Sequence, residues 1–286
     1  METRRILAVL LAACAVLAGC GGAPTTPTDA STTDGRTPSP PPTTESTETT
    51  AVPTDQNLAL DAETLAADHA DALAATSYES RFSFSVDLPD GTAGIAERRT
   101  VDRGADLATE VQTTTLDDTN GTTTVDISRV TFVGNDTTYE RLTGTNYATV
   151  FSTNDGQGTD TSPIDANDVG SDVVDAAASV EWTAVGTATV DGVEVTRYEA
   201  AGPESVRQFR DETSFGESAM NRVETTESAN ATLLVGDDGV VRQFSLTVEG
   251  TTDGEPVAVS LDVRFSNVGT ASAELPSWLD DAKQNT

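Results

Sequence analysis

The strongest constraint on the fold is a period-two alternation of apolar and polar residues that returns along the chain. Phe82, Phe84, Val86 and Leu88 alternate with Ser83, Ser85 and Asp87, and Phe244, Leu246 and Val248 alternate with Ser245, Thr247 and Glu249. Val257, Val259, Leu261, Val263 and Phe265 alternate with Ala258, Ser260, Asp262 and Arg264. Successive side chains on a strand point to opposite faces, so each run reads as a strand with one apolar and one wet face. Asp90-Gly91, Asn120-Gly121, Asp191-Gly192 and Asp238-Gly239 fall between such runs. Asx-Gly supplies the positive φ angles of tight hairpins, which makes consecutive strands antiparallel neighbours. The pattern predicts about ten or eleven strands, near 78–88, 93–103, 106–116, 122–133, 136–142, 146–151, 180–188, 193–200, 225–235, 240–249 and 256–266.

Helices interrupt this meander. Leu65, Ala66, His69, Ala72 and Leu73 recur at helical spacing between Asp61, a candidate N-cap, and Ala75. A second helix is predicted near 168–179 from Val169, Val173, Val174 and Ala177. A third is predicted near 203–213, with Pro203 in its first turn and Val206, Phe209 and Arg210 following. Cys14 and Cys20 are the only cysteines and both precede the folded part, so no disulfide staples it. A hydrophobic core must hold the roughly 220 residues that follow the tether described next.

The N-terminus reads as a lipoprotein signal. Arg4 and Arg5 precede an apolar run from Ile6 to Leu17, too short to span a bilayer, and Leu17-Ala-Gly-Cys20 closes it. Removal of residues 1–19 and thioether lipidation of Cys20 are expected, which anchors the chain to the membrane on the extracytoplasmic face. Thr3-Arg4-Arg5-Ile6-Leu7 also resembles the start of a twin-arginine export signal. Residues 20–56 form a Thr/Pro-rich tether in which only Val52 is a sizeable apolar side chain, leaving 57–286 as the folded domain. Asn120, Asn135 and Asn230 each begin an Asn-x-Thr glycosylation pattern.

The formal net charge is −31, and Lys283 is the only lysine. So acidic a surface repels itself in dilute buffer, whereas molar salt shortens the Debye length to about 3 Å and screens the repulsion. The composition resembles that of haloarchaeal, salt-adapted proteins. No basic stripe is legible along the chain, which argues against nucleic acid as a partner.

Catalytic signatures are missing from the sequence. His69 is the one histidine, beside Asp68 and Asp71, and is expected at the helix surface or boundary. No Gly-x-Ser-x-Gly elbow, His/Cys zinc cluster, spaced calcium loop or glycine-rich phosphate loop occurs. Asp117-Asp118, Asp237-Asp238 and Asp280-Asp281 read as turn and surface residues. No enzymatic activity, metal or cofactor is expected, and protein partners are not legible.

Val185-Gly186-Thr187, Val190-Asp191-Gly192-Val193, Tyr198, the helix after Pro203, Leu233 to Gly239, Val241-Arg242 and the strand ending at Phe265 together resemble the LolA-like and LppX/LprG lipoproteins, with Leu275-Pro276-Ser277-Trp278 fitting their last segment. The layout is similar to that of haloarchaeal lipoproteins of unknown function. The resemblance implies a mainly β (α+β) fold, a single curved antiparallel half-barrel closed by two or three helices. It also implies a cavity that holds a lipid or other amphiphile. The alternation assigns the candidate cavity wall to Phe82, Phe84, Val86, Phe244, Leu246, Val248, Leu261, Val263 and Phe265, with the helix of Leu65 and Leu73 closing one side. The alternative is a non-enzymatic cell-surface interaction module with a filled core, in which these residues are core alone; an unrecognised hydrolase ranks third.

Overall fold

The computed structural model describes residue 60 and residues 62–119, 122–134, 137–145, 147–154, 169–212 and 223–285. The signal, Cys20, the tether, Asp61, Asn120 and Asn135 lie outside the described residues. The protein is mainly β, one open, curved antiparallel sheet of 11 strands. The strands are β1 (Tyr78–Leu88), β2 (Gly91–Asp102), β3 (Leu107–Asp118), β4 (Thr123–Gly134), β5 (Thr137–Gly144), β6 (Tyr147–Asn154), β7 (Thr183–Val190), β8 (Val193–Ala201), β9 (Thr225–Gly236), β10 (Val241–Thr252) and β11 (Glu255–Ser266). The helices are α1 (Ala62–Ala74), α2 (Val169–Ala177), α3 (Pro203–Glu212) and α4 (Leu279–Asn285).

The strand order β6-β5-β4-β3-β2-β1-β11-β10-β9-β8-β7 makes two meandering wings. Within a wing, each strand pairs with its neighbour in sequence. The wings meet where β1 pairs β11, from Glu79↔Ser266 to Asp87↔Ala258. Hairpin chemistry matches the sequence at Asp191-Gly192, with φ of 51° and 81°, and recurs at Asp253-Gly254, with φ of 52° and 82°.

One face of the central strands carries the core. Leu65, His69 and Leu73 form the buried stripe of α1; Val173, Val174, Ala176 and Ala177 form that of α2; and Phe209 is the buried anchor of α3. These helices meet Phe244, Leu246, Leu261, Val263 and Phe265 in one hydrophobic cluster. His69 is therefore not the surface or boundary residue expected: it is 1 % exposed, its ring lies edge-on to Phe265 at 4.5 Å, and its Nδ1 accepts the Val241 N–H at 3.3 Å. Imidazole fits that core position because its apolar edges pack while one nitrogen satisfies a buried backbone donor.

The one apolar and one wet face read for β1, β10 and β11 does not extend through the β2–β6 wing. On the helix-bearing face, Glu97, Arg99, Gln112 and Thr114 are buried between apolar patches at Val101, Ala108 and Val133 and at Ala93, Leu116 and Val125. Arg99 pairs with Glu110 at 3.2 Å, and the Gln112 amide donates to Glu97 at 3.4 Å. The opposite face of this wing carries an apolar patch, with Phe132 and, partly buried, Val130, Tyr139 and Phe151 lying under Trp278, Leu279 and Ala282. That cover is α4 and the turn before it, a helix too short for any apolar period in the sequence to announce. Arg141 sits over the Trp278 ring at 5.5 Å and Lys283 over Tyr139 at 5.9 Å, completing the seal.

Candidate pocket at the end of the core

The nine candidate residues share one face, as the alternation requires. Cross-strand pairing sets eight of them in three rows, Phe82–Val263–Phe244, Phe84–Leu261–Leu246 and, completed by Val259, Val86–Val259–Val248, with Phe265 opposite Ser80 in the row beyond. Eight of the nine are buried and Phe84 is half-buried, all within the main core cluster or against it. Phe244 stacks on Phe209 at 5.3 Å and takes the edge of Trp182 at 6.2 Å. These side chains fill the space between the sheet and the helices with contacts to one another.

Open volume lies at the β7–β8 end of the core. A pocket of ≈ 900 Å³ is bounded by Leu60, by residues 178–183 and Val185, by residues 199–201 of β8, and by Glu204, Ser205 and Gln208 of α3. None of the nine candidates lines it. The physical reason is that α1, α2 and α3 lie over the central strands and cover them, while the turn from α2 into β7 stands away from α3.

Local structure builds this pocket. The end of α2 winds down through Ala178 N–H to Val174 O at 3.0 Å, Ser179 N–H to Ala176 O at 3.1 Å and Val180 N–H to Ala177 O at 3.2 Å. The Trp182 indole N–H then donates to Ala177 O at 2.9 Å, which fixes the ring between the pocket and Phe244. Gly202, at φ 94°, turns the chain so that Pro203 opens α3 beside Ala200 and Ala201.

The pocket has two chemistries. Val180 and Ala200 belong to the core cluster, and Leu60, Ala178 and Trp182 pack against it, so the apolar wall is the exposed end of the core. Glu181, Glu199 and Glu204 stand at the rim with Ser179, Ser205 and Gln208. Glu199 pairs with Arg197. Arg207 donates its Nε to Glu204 at 3.0 Å, and hydrogen bonding from Arg207 holds the Glu204 carboxyl below its ordinary range. Burial pushes the Tyr198 phenol up, with a Thr196 hydrogen bond opposing it. The sequence contained a signal for this site, the Trp182 indole at a helix-to-strand junction, with Pro203 opening the helix opposite, but no periodicity links the two segments.

Among the described residues no group of three or more His, Cys, Asp or Glu is placed to hold a metal ion. The acidic pairs act locally: Asp118 accepts the Thr122 N–H at 2.9 Å, Asp238 pairs with Arg242, and Asp280 and Asp281 occupy the first turn of α4. Asn230 is exposed on β9. No described helix is long and apolar enough to cross a membrane.

Two solved structures align with most of the chain. A DUF1329 family protein from Desulfovibrio piger shares 11% identity at a TM-score of 0.26, over 79% of this chain and 98% of its own. A putative outer membrane lipoprotein-sorting protein domain from Vibrio parahaemolyticus shares 8% at a TM-score of 0.21, over 78% and 98%. No curated protein matches the sequence. A family model matches residues 5–282, and the chain thus belongs to DUF7537, a family of unknown function.

Proposed function

We propose that this chain is a non-enzymatic lipoprotein, anchored through lipidated Cys20 to the extracytoplasmic face of a membrane and adapted to high salt, that binds an amphiphile in the pocket between the α2–β7 turn and α3. Residues 1–19 are its signal, 20–56 its tether and 57–286 its binding domain, with Asn120, Asn135 and Asn230 as glycan acceptors. The observation that carries the binding reading is the composition of the ≈ 900 Å³ pocket, whose inner wall is the end of the core and whose rim bears Glu181, Glu199 and Glu204. That volume lies in the range of small-molecule sites, and an apolar wall facing a polar rim orients a ligand that is itself part apolar and part polar. The carboxylate rim favours a neutral, hydroxyl-bearing or cationic polar end over an anionic one, because an anion there meets like charge.

The test is mass spectrometry of lipid extracted from the natively purified protein and from an Ala178→Trp variant. Ala178 is half-buried at the pocket wall, so an indole there fills open volume more than it strains the core. The expected result is an amphiphile retained at near one per chain by the native protein and lost from the variant, with the melting temperature maintained. Native protein that extracts free of lipid defeats the reading.

A further inference from the structure

One cross-strand row on the face opposite α1, α2 and α3 runs the full width of the sheet. It reads Phe151, Arg141, Val130, Val111, Arg98, Arg81 from β6 to β1, and Arg264, Gln243, Leu234, Arg197, Gly186 from β11 to β7. The row holds five arginines and no acid, in a chain whose net charge is −31. Its centre is the densest part: Arg98, Arg81 and Arg264 lie directly opposite one another on three adjacent strands. Strands are about 4.8 Å apart, so these three cations span about 10 Å in a line. Like charges directly opposite are unfavourable, and random placement of so few basic residues gives no reason for such a line.

The outer two arginines of the centre have exchangeable partners. Arg98 pairs with Glu79 at 2.8 Å and is 55% exposed; Arg264 pairs with Asp191 at 2.6 Å and is 36% exposed. Ion pairs this exposed contribute little and yield readily to a competing anion. The Arg81 side chain, exposed between them, makes no ion pair or hydrogen bond among the described residues. The row beside it on this face carries Ala96, Ser83, Asp262 and Ser245, with Asp262 accepting from the Gln243 amide at 3.0 Å, and the next carries the short side chains of Gly94, Ser85 and Ser260.

The geometry points to a binding site on this outer face for a linear acidic glycan, its carboxylates or sulfates paired to Arg98, Arg81 and Arg264 and its hydroxyls lying over Ser83, Asp262 and Ser245, where the Asp262 carboxylate accepts from them. This goes beyond the amphiphile reading and does not depend on it. A glycan fits the observations better than the alternatives. The cations form a line rather than an area, so a planar anionic membrane would also press Glu79 and Asp262 against its phosphates. Single-stranded nucleic acid needs aromatic platforms for its bases, and the rows around the central three arginines contain none. Guanidinium groups match carboxylate and sulfate geometry through paired N–H donors, which suits the use of arginine here where lysine is nearly absent.

The test uses the full chain in detergent and molar salt, where a Debye length of about 3 Å removes the long-range repulsion between two polyanions. Binding is measured to polygalacturonate, neutral dextran, phosphatidylglycerol vesicles and poly(U). The wild type is expected to bind polygalacturonate and not the other three. Arg81→Ala should weaken that binding about tenfold, Arg81→Lys less, and Arg81→Glu should abolish it. The carboxylate introduced by Arg81→Glu lies between Arg98 and Arg264 and replaces like-charge neighbours with opposite ones, so the melting temperature of that variant should hold or rise. Loss of binding with gain of stability is an outcome a merely structural row does not produce. The proposal is overturned if the wild type ignores polygalacturonate, if Arg81→Glu binds it unchanged, or if dextran, vesicles or poly(U) bind as well as or better than the acidic glycan.

Discussion

Phe244→Ala probes whether the central rows are a packed core or the wall of a cavity. Phe244 is 1 % exposed, lies between Leu233 and Val263 across the sheet, and contacts the rings of Phe209 and Trp182. Truncating a buried phenylalanine costs about 3–5 kcal/mol through lost transfer energy and the hole left behind. Each aromatic pair adds about 0.5–1.5 kcal/mol, part of which those measured costs already contain. A loss of about 4 kcal/mol follows, set against a total stability on the order of 5–15 kcal/mol. Phe244→Leu, which keeps most of the volume, should lose less than about 1.5 kcal/mol. Urea titration in molar salt is the assay, since an uncharged denaturant leaves the ionic strength alone. The two tryptophans report separately, Trp182 beside the core and Trp278 in the turn before α4 on the other face, and coincident transitions establish two-state unfolding. A loss below about 1 kcal/mol for Phe244→Ala would refute the packed-core reasoning, because a truncated wall of an open or ligand-filled cavity creates no new hole.

Two further outcomes are expected. Cys20→Ser should leave the protein in the soluble fraction after high-salt washing, and a signal-processed variant that stays membrane-bound would show another anchor. Burial pushes the Asp262 carboxyl up, opposed by the Gln243 amide hydrogen bond at 3.0 Å and by the Arg264 charge. Because its folded pKa is raised, ionising Asp262 costs stability as pH climbs from the unfolded value of about 4 through the folded one. Asp262→Asn, which keeps an acceptor for Gln243, should therefore stabilise the protein at neutral pH and give no gain below about pH 4, as read from urea midpoints at the two pH values; destabilisation at neutral pH would contradict this sign.

Local chemistry made most of the framework legible. The eleven strands fall where the period-two runs and Asx-Gly turns put them, and α1, α2 and α3 where the helical stripes do, because both signals act over a few residues. The alternation also grouped Phe82, Phe244 and Leu261 on one face, since a strand has only two faces to offer. Three matters depended on long-range pairing. Whether a face is covered is a question of which helix reaches it, and so the central rows lie in the core while a pocket opens beside Trp182 and Val185. The mixed polarity of the β2–β6 wing arose because α4, from the far end of the chain, seals an apolar patch on the outer face while Arg99 pairs with Glu110 and Glu97 accepts from Gln112 on the other side. Arg98, Arg81 and Arg264 form a line only because β1 pairs with β2 on one side and β11 on the other. No reading along the chain brings positions 81 and 264 together; the hydrogen-bonded register of two strands distant in sequence does.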